Sequence, residues 1–295
     1  MSAMFFEARV LGRQILTPGM IRLSFGGDAL AAFPGTGMPD EYLRLFFPDA
    51  ATGRLHLPVI TEDGRWTYPE GQDVIHYSTY TVRQHRPDSG EIDIDFVVHE
   101  GGVASEWAQN AAPGDTITIN RPRGLYTPPD DITWQVLVAD ATGLPALSRI
   151  LEQTPRHVQS RIFIEIAAPE HEQQLPHHEF ATVTWLHRSG NGIAPSRMAD
   201  VVRAMPLAAT PGYIWVAGEQ KVVRAIRKYV RQDLKLPPER YELVGYWTQE
   251  SEVWEERWKN LPEDVRKAID ALWSSGRDME ELRDEYYATL EKYGL

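Results

Sequence analysis

The sequence predicts two successive domains, an antiparallel β-barrel and then a parallel-sheet α/β domain, followed by C-terminal helices. The first part of the chain carries short alternating strands divided by Gly- and Pro-rich turns. The middle part alternates apolar runs of strand length with segments of helical spacing. A length of 295 residues suits two domains of ordinary size. We therefore expect domains at 1–130 and 131–248, with an extension at 249–295.

Residues 1–130 are predicted to form the barrel. Apolar–polar alternation predicts strands at 5–16 and 20–27, and one helical turn is expected at 28–33. The connection at 48–73 is long, and connections of this length are usually functional or disordered. Short antiparallel strands without helical runs between them favour a small barrel or sandwich. The remaining strands are predicted at 42–47, 77–83, 92–99 and 116–120.

Residues 131–248 are predicted to form a parallel sheet with helices on both faces. The boundary is placed near residue 130, where Thr127-Pro-Pro-Asp-Asp131 divides two different patterns. Two segments have helical spacing. Residues 144–151 follow the first apolar run, and residues 222–230 follow a later one. Strands that alternate with helices are typical of a parallel sheet. The five apolar runs lie at 134–139, 161–167, 182–186, 213–217 and 241–244.

Residues 249–295 are predicted to form amphipathic helices with acidic outer faces. Pro262 opens one helix, which ends before Gly276. Asp278 with Glu281 resembles a capping box for the next helix. We expect these helices to pack on the second domain through their apolar faces, and binding of a partner is the alternative.

Composition and charge exclude several classes of function. The chain has no cysteine, so disulfides, thiolate metal sites and cysteine catalysis are excluded, and a reducing, cytoplasmic location is expected. A net charge of −12 argues against non-specific nucleic-acid binding. No apolar run of ~18 residues and no basic leader are present, so we expect neither a membrane span nor a signal peptide. The adjacent His177 and His178 cannot share a strand face, and no metal site is predicted.

An aromatic ring, a hydroxyl and a guanidinium lie close together on the predicted strand at 77–83. Tyr80 could form a wall against a flat ring, and Thr81 could form a hydrogen bond to the edge of that ring, so that the two make one ledge. Arg83 lies two residues past Thr81, on the same strand face, and could reach a phosphate. Such a set suits a flat, hydrogen-bonding, anionic cofactor. Tyrosine and threonine are also ordinary strand formers, so the residues alone leave both interpretations open.

Small residues precede a predicted helix in the segment Gly101, Gly102, Val103, Ala104 and Ser105. They would let a phosphate approach the free N–H groups at the start of the helix, where the helix dipole also favours an anion. A plain turn that Ser105 caps is the alternative.

The turn at Asp140–Pro145 ends the first strand of the predicted parallel sheet. Ligands bind outside the carboxyl ends of such strands, so Thr142 could contact a bound ring there. Gly218 and Glu219, after a later strand, are a second candidate for this crevice, although Gly218 could simply make the turn into a helix. No G-x-G-x-x-G follows the first strand, so the usual dinucleotide fingerprint is absent.

These segments together resemble the motifs of the siderophore-interacting proteins, a branch of the ferredoxin-reductase-like flavoproteins. That family carries Arg-x-Tyr-Thr-x-Arg, Asp-Phe-x-x-His and Gly-x-Ala-Ser-x-Trp-Ala in succession. In the first motif, Ser78 stands where the family has its first arginine. The matching residues are Tyr80, Thr81 and Arg83, then Asp95, Phe96 and His99, then Ala104, Ser105, Trp107 and Ala108.

The resemblance continues through the second domain. Ala139–Ala146 is similar to the family's Ala-Asp-Glu-Thr-Ala-Leu-Pro-Ala turn, and Trp215–Glu219 and Gly245–Trp247 match later motifs. Thr248 stands where the family has an arginine after Gly-Tyr-Trp. The matches keep the order of the family over residues 5–247.

The resemblance implies an FAD protein in which the barrel binds the flavin and the α/β domain docks NADH or NADPH. It implies a ferric-siderophore reductase that releases iron as Fe(II), with no catalytic side chain because the chemistry belongs to the cofactor. The protein is expected to be a monomer or a weak dimer. Tyr246 and Trp247 are expected on the flavin face away from Tyr80. The implied cofactor contacts are Tyr80, Thr81, Val82, Arg83, Asp95, His99, Val103, Ala104, Ser105, Thr142, Tyr246 and Trp247.

Two alternatives stay open at this point. One is a general flavin oxidoreductase, such as a ferredoxin reductase, with another electron acceptor. The other is a non-catalytic protein that binds siderophores without flavin. Arg188, Arg197 and Lys221 lie near strand ends but do not decide between NADH and NADPH. The candidates for the positive charge that an anionic ferric complex needs are Arg44, Arg65, Arg121 and Arg123.

Overall fold

The computed structural model describes residues 4–49, 52–60, 66–67, 76–272 and 279–295. The first half contains β1 (Phe5–Thr17), β2 (Met20–Gly26), β3 (Tyr42–Phe47), β4 (Val59–Ile60), β5 (Trp66–Thr67), β6 (His76–Arg86), β7 (Glu91–Val97), α1 (Val103–Asn110) and β8 (Thr116–Asn120). The second half contains β9 (Trp134–Ala139), α2 (Leu144–Gln153), β10 (Gln159–Ile166), β11 (Ala181–His187), α3 (Met198–Ala204), β12 (Gly212–Glu219), α4 (Gln220–Lys228) and β13 (Tyr241–Trp247). The helices α5 (Ser251–Lys259), α6 (Glu263–Leu272) and α7 (Met279–Lys292) follow.

Six strands close into an antiparallel barrel in the order β1-β2-β7-β6-β3-β8. Alternation along each strand directs apolar side chains inward, and Leu23, Leu45, Ile94 and Phe96 are fully buried there. Helix α1 packs on this core, where Trp107 stacks on an interior phenylalanine. The barrel that the short alternating strands predict is confirmed.

The second domain is a five-stranded parallel sheet in the order β11-β10-β9-β12-β13. Separate apolar clusters lie on its two faces, one containing α2 and the other containing α3 and α4. Ala139 of β9 lies in register with Ala217 of β12, while Ile164 of β10 flanks it on the other side. The carboxyl ends of the central strands therefore meet at one edge of the sheet. The predicted α/β architecture is confirmed.

Residues 121–133 connect the barrel to the parallel sheet. β8 ends at Asn120 and β9 begins at Trp134, and the predicted boundary near residue 130 lies between them. Helix α2 of the second domain packs directly on β6 of the barrel. The two domains therefore share an interface along one barrel strand.

The sequence patterns do not predict α3 and α5. Helix α3 is short and buries only Met198 and Val202, so its apolar periodicity is too brief to recognise. The predicted helical turn at 28–33 is a 3₁₀ turn at Asp28–Ala32. Much of the long connection at 48–73 lies outside the described residues, as do Arg65, Gly276 and the capping-box residue Asp278.

The C-terminal helices contact the second domain, but their apolar faces pack on one another and not on that domain as expected. Their own small core contains the buried residues Leu261, Ile269, Leu290 and Leu295. Arg224 of α4 donates to the main-chain carbonyl of Leu295 at 3.0 Å. Within the described parts of the chain, no helix has the length and apolarity needed to cross a bilayer. The same residues contain no cluster of His, Asp and Glu suited to a metal ion.

Candidate cofactor site

Tyr80 and Thr81 face opposite sides of β6, because neighbouring residues in a strand alternate. Tyr80 lies across from Leu43, and its ring packs on that of Phe96 with centroids 4.4 Å apart. Thr81 is 4% exposed and faces the second domain, close to Tyr246 of β13. The two side chains therefore do not share one face of β6, and contact of a single bound ring with both of them stays a prediction. One side of β6 offers an aromatic wall and the other side a hydroxyl.

Tyr80 is half-buried at the rim of the barrel core. Burial raises the pKa of its phenol well above the ordinary tyrosine value, so the ring is neutral at physiological pH. A neutral aromatic ring held against Phe96 is a suitable wall for a flat heterocycle.

The Thr81 hydroxyl is buried beside the Tyr246 phenol. Its Oγ1 makes no hydrogen bond of normal geometry to any residue that the structure describes. Burial raises the pKa of the nearby Tyr246 phenol, Asp40 adds to this rise, and the Thr81 hydroxyl opposes it. Buried hydroxyls normally have a partner, so an unpaired one at a domain junction is a candidate contact for a bound ligand.

Arg83 is paired with the second domain instead of being free for a phosphate. The register of β6 and β7 shifts between Val82 and Gln84, so Arg83 lies at a β-bulge. Its guanidinium forms two hydrogen bonds to the Glu152 carboxylate of α2, at 2.7 and 3.3 Å. A phosphate would have to displace Glu152 from Arg83.

Asp95 is a member of an ion pair on the outer side of the barrel. Arg22 of β2 donates to both of its oxygens, at 2.6 and 2.8 Å. These hydrogen bonds raise the pKa of the Arg22 guanidinium. The expected contact of Asp95 with a cofactor competes with this bidentate pair.

Helix α1 begins without a side-chain cap among the described residues, because its N-cap position is Gly102. Gly102 has a φ of 91°, and a Cβ atom there would lie 2.7 Å from Cε1 of His99. The Ser105 hydroxyl does not cap the helix, since it accepts from the N–H of His99 at 3.0 Å and donates to the carbonyl of His99 at 2.9 Å. The first N–H groups of α1, at Val103 and Ala104, therefore stay available to an anion.

Thr142 and Trp247 meet on Asp140 at the carboxyl edge of the parallel sheet. Thr142 donates its N–H and its hydroxyl to Oδ1 of Asp140, at 2.8 and 2.6 Å. Trp247 donates its indole N–H to Oδ2 at 2.6 Å. Burial raises the pKa of the Asp140 carboxyl, which is 1% exposed. The sequence interpretation selected Thr142 and missed Asp140, although a buried acid at a strand end is itself a signal.

The two residues of the second candidate turn have structural roles. A Cβ atom at Gly218 would lie 2.7 Å from Oδ2 of Asp140, so only glycine fits there. Glu219 caps α4 by accepting from the N–H groups of Lys221 and Val222, at 2.7 and 3.0 Å. The turn therefore shapes the crevice without offering a free polar group to it.

Glu165, which sequence reasoning missed, organises the segment 188–197 beside this crevice. It is a buried acid at the end of β10, and its Oε1 accepts from the hydroxyl of Ser189 at 2.6 Å and from the N–H of Arg197. Asn191 of the same segment accepts from the N–H of Ala141 at 3.0 Å. Arg188, Arg197 and Lys221 have exposed side chains near this edge.

Two family models match this chain and together span most of it. Residues 9–126 match the siderophore-interacting FAD-binding domain. Residues 132–250 match the model described as siderophore-interacting protein. The chain belongs to the siderophore-interacting protein family. The resemblance carried by the three barrel motifs is thereby confirmed, and α5, α6 and α7 lie beyond the residues that the family models match.

Two relatives that are named as ferric reductases are similar over most of their length. The ferric vibriobactin reductase ViuB of Vibrio cholerae is 32% identical over 240 residues, which cover 80% of this chain and 86% of ViuB. The NADPH-dependent ferric-chelate reductase of Escherichia coli is 31% identical over 249 residues, covering 82% of this chain and 92% of that protein.

Solved structures of the family share the fold. A siderophore utilization protein from T. fusca superposes with a TM-score of 0.73 at 31% identity, covering 85% of this chain and 96% of its own. The siderophore-interacting protein SipS from Aeromonas hydrophila superposes with a TM-score of 0.69 at 26% identity, covering 84% of this chain and 100% of its own. A ferredoxin reductase of carbazole 1,9a-dioxygenase, at 17% identity and a TM-score of 0.58, has the same fold.

The geometry of the barrel fits FAD, the cofactor of this family's N-terminal domain. The Tyr80 ring offers a wall, the Thr81 hydroxyl is buried and unpartnered within the described structure, and the start of α1 lacks a side-chain cap. An aromatic wall, a buried hydroxyl and an uncapped helix start are all features that a site for FAD can use. Ser78, in place of the family's first arginine, removes one positive charge from that set.

Proposed function

We propose that this chain is an FAD-dependent reductase that uses NADH or NADPH to reduce ferric iron held by a siderophore. Thr81 carries the proposal, because its buried and unpartnered hydroxyl lies where the FAD-binding barrel meets the α/β domain. The names of the ferric vibriobactin reductase and the NADPH-dependent ferric-chelate reductase support the choice of acceptor.

The reaction needs a two-electron donor and a one-electron acceptor. When bound, FAD accepts a hydride from the reduced nicotinamide and passes its two electrons on singly, which a nicotinamide cannot do. One NAD(P)H and two ferric ions give one NAD(P)⁺, two ferrous ions and one proton. Ferrous iron has a lower charge than ferric iron and binds hard anionic oxygens less tightly. The siderophore therefore releases the metal once it is reduced.

The protein's own part is to bind and align the two cofactors. We assign the aromatic wall to Tyr80, the polar edge contact to Thr81 and the pyrophosphate to the first N–H groups of α1. Thr142 and Trp247, held by Asp140, border the nicotinamide side of the crevice, as their place at the carboxyl edge of the sheet supports. No general base is needed, so no catalytic side chain is assigned.

Two of the other expected cofactor contacts require that a side chain first leave its present protein partner. Arg83 would bind a phosphate only after leaving Glu152, and Asp95 would bind the cofactor only after leaving Arg22. His99 is exposed beside the start of α1 and is placed for the adenosine end. Val82 and Val103 would contribute main-chain contacts. Tyr246 of the second domain lies close to Thr81 and would contact the ring edge.

The anionic ferric complex needs positive charge near the flavin. Arg44, on the outer face of the barrel, lies 5.3 Å from the ring centroid of Tyr77. Arg121 and Arg123 follow β8 and are at least partly exposed. We assign the acceptor site to this side of the barrel. The proposal also places the protein in the cytoplasm, where NAD(P)H is supplied, as a monomer or weak dimer that light scattering would test.

Anaerobic reduction of the purified protein tests the proposed function. Flavin absorbance in the purified protein is the first requirement, and bleaching on addition of NADH or NADPH is the second. A ferric siderophore is then added, and a ferrous-specific chelator traps the released iron. We expect the flavin to reoxidise and two ferrous ions to appear for each NAD(P)H.

Each rival function predicts a different result of the same experiment. Reoxidation by ferredoxin or a quinone, without reoxidation by ferric siderophores, would make the chain a general flavin oxidoreductase. A protein that binds a ferric siderophore but never takes up FAD would be a siderophore-binding protein without catalysis. Either result would overturn the proposed acceptor chemistry.

A further inference from the structure

A buried ion pair joins the two domains next to the proposed flavin edge. Arg149 of α2 is 6% exposed and extends from the second domain toward the barrel. Its Nη1 lies 3.1 Å from Oε1 of Glu41, which is 0% exposed in the barrel segment before β3. The same guanidinium donates to the main-chain carbonyl of Val82 on β6. Arg149 therefore bridges an acid and a strand carbonyl of the other domain.

Glu41 is itself held from the barrel side. Its Oε2 accepts from the N–H and the hydroxyl of Thr36, at 2.6 and 2.7 Å. The main-chain carbonyl of Glu41 accepts from the N–H of Val82 at 2.9 Å. Both main-chain polar groups of Val82 are thus engaged, one by Glu41 and one by Arg149. This residue follows Thr81 directly and begins the β-bulge of β6.

A second pair lies one turn further along α2. Glu152 of the helix accepts from Arg83, so α2 contacts two successive residues of β6. The Glu152 side chain is 41% exposed, and ion pairs of this kind contribute little because water screens them. The contact of Arg149 is therefore the more buried of the two polar links between α2 and β6.

Burial alone does not explain an arginine at this position. A buried ion pair is often no more stabilising than apolar residues of the same volume. A contribution to stability is therefore a weak explanation for the pair of Arg149 and Glu41. Arginine instead offers several N–H donors in one rigid plane and can hold a carboxylate and a carbonyl together. The second acceptor of Arg149 is the main-chain carbonyl of Val82, next to Thr81. Hydride transfer depends steeply on the distance and alignment of donor and acceptor.

We infer that Arg149, with Glu41, is a positioning residue. The pair sets the register of β6, the strand that carries Thr81, relative to the second domain. The inference rests on the proposed function, because the alignment matters only if a nicotinamide reduces a flavin across this interface. Arg149 touches neither cofactor in this assignment. It acts through the main-chain carbonyl of Val82, the residue that follows Thr81, and in this way orients Thr81.

Arg149→Lys is the test, with Arg227→Lys as its matched control. Arg227 of α4 is 3% exposed and donates to the carbonyl of Leu243 on β13 at 3.0 Å. It is thus an equally buried helix arginine bound to a strand carbonyl, but both partners lie in the second domain. Each variant loses the planar guanidinium and keeps the positive charge.

Three measurements separate positioning from stability. Thermal unfolding and the dissociation constant of FAD report on the fold and on the barrel. Hydrogen exchange of residues 77–86, measured on flavin-free protein, reports on the main chain around Val82. Stopped-flow reduction of bound FAD by saturating NADH or NADPH reports on alignment, as does the long-wavelength absorbance of nicotinamide stacked on flavin.

We expect Arg149→Lys to bind FAD nearly as tightly as the wild type and to unfold near the same temperature as Arg227→Lys. Its exchange at 77–86 should be faster, and its limiting reduction rate should fall by roughly ten-fold or more. Arg227→Lys should change neither. If Arg149→Lys does not fold, the double variant Arg149→Gln/Glu41→Gln leaves no buried charge unpaired and should show the same two effects.

Failure of the inference and failure of the proposed function give different results. A wild type that binds FAD but is reduced by no nicotinamide would overturn the proposed function and the role of Arg149 with it. A wild type that is reduced normally, with both lysine variants reduced at the same rate, would overturn the role of Arg149 alone. Loss of FAD binding in Arg149→Lys but not in Arg227→Lys would also overturn it, since the residue would then shape the barrel site itself.

Discussion

Trp247 donates its indole N–H to Oδ2 of Asp140 at 2.6 Å, which ties the end of β13 to the end of β9 across the crevice. The carboxylate receives this bond on one oxygen and the two bonds of Thr142 on the other. Both oxygens of this buried acid thus accept hydrogen bonds from residues of the proposed nicotinamide site. Its protonation state is therefore linked to the position of Trp247.

Asp140 should make stability fall as pH rises. Burial raises the pKa of this carboxyl, so the folded protein binds the proton more tightly than the unfolded chain. Its stabilising contribution is full below the ordinary aspartate pKa of about 3.9 and is lost as pH rises through the raised folded value. The free energy of unfolding of the wild type minus that of Asp140→Asn should decline over this window in urea titrations. A difference that is constant with pH would contradict the prediction.

Asp93 should have the opposite pH dependence. Burial alone would raise the pKa of its carboxyl, but hydrogen bonds from Arg86 and Ser24 hold it below its ordinary value. Its contribution is present above the unfolded pKa of about 3.9 and is lost as pH falls through the lowered folded value. Asp93→Asn should cost about 1–3 kcal/mol near neutral pH and progressively less in acid. Asp88→Asn, on an exposed turn, is the control and should change little at either pH.

The barrel and the sheet were predictable because they depend on patterns that a sequence displays. Alternation along β2 and the apolar runs of β9 and β12 are local, and turn residues separate them. The contacts that build the site are not local. Arg149 and Glu41 are 108 residues apart, and Trp247 and Asp140 are 107 apart, so no spacing rule links them.

The site predictions depended on residue identity, and identity alone did not give orientation. Tyr80 and Thr81 were selected together, yet strand alternation sends them to opposite sides of β6. Arg83 and Asp95 were selected as charges for a cofactor, and each has a protein partner in the fold. Which partner a charged group takes is decided by the packing of strands that are distant in sequence.

Thr81→Val should affect flavin-free and flavin-bound protein in opposite directions. Valine has nearly the same shape and removes a buried hydroxyl that lacks a partner among the described residues. The flavin-free protein should be unchanged or up to about 1 kcal/mol more stable in urea unfolding. FAD should bind more weakly by about 0.5–1.5 kcal/mol, measured by quenching of flavin fluorescence. A clear loss of stability without flavin would show that the hydroxyl is paired with Tyr246.

Gly102→Ala should weaken FAD binding through the start of α1. A Cβ atom at this position would lie 2.7 Å from Cε1 of His99, so the exposed imidazole would have to leave its place beside the first N–H groups of the helix. Loss of one charge-assisted hydrogen bond to the pyrophosphate, worth about 1.5–3 kcal/mol, would raise the dissociation constant of FAD by roughly ten-fold or more. Titration of the flavin-free protein with FAD measures this change.

Gly101→Ala is the matched control for Gly102→Ala. Gly101 also has a positive φ, of 70°, so alanine is strained at both positions, but a Cβ atom at Gly101 meets nothing within 4 Å. The control should therefore lose a similar amount of stability and keep most of its affinity for FAD. Equal weakening of FAD binding in both variants would attribute the loss to backbone strain in the turn and would remove α1 from the proposed pyrophosphate site.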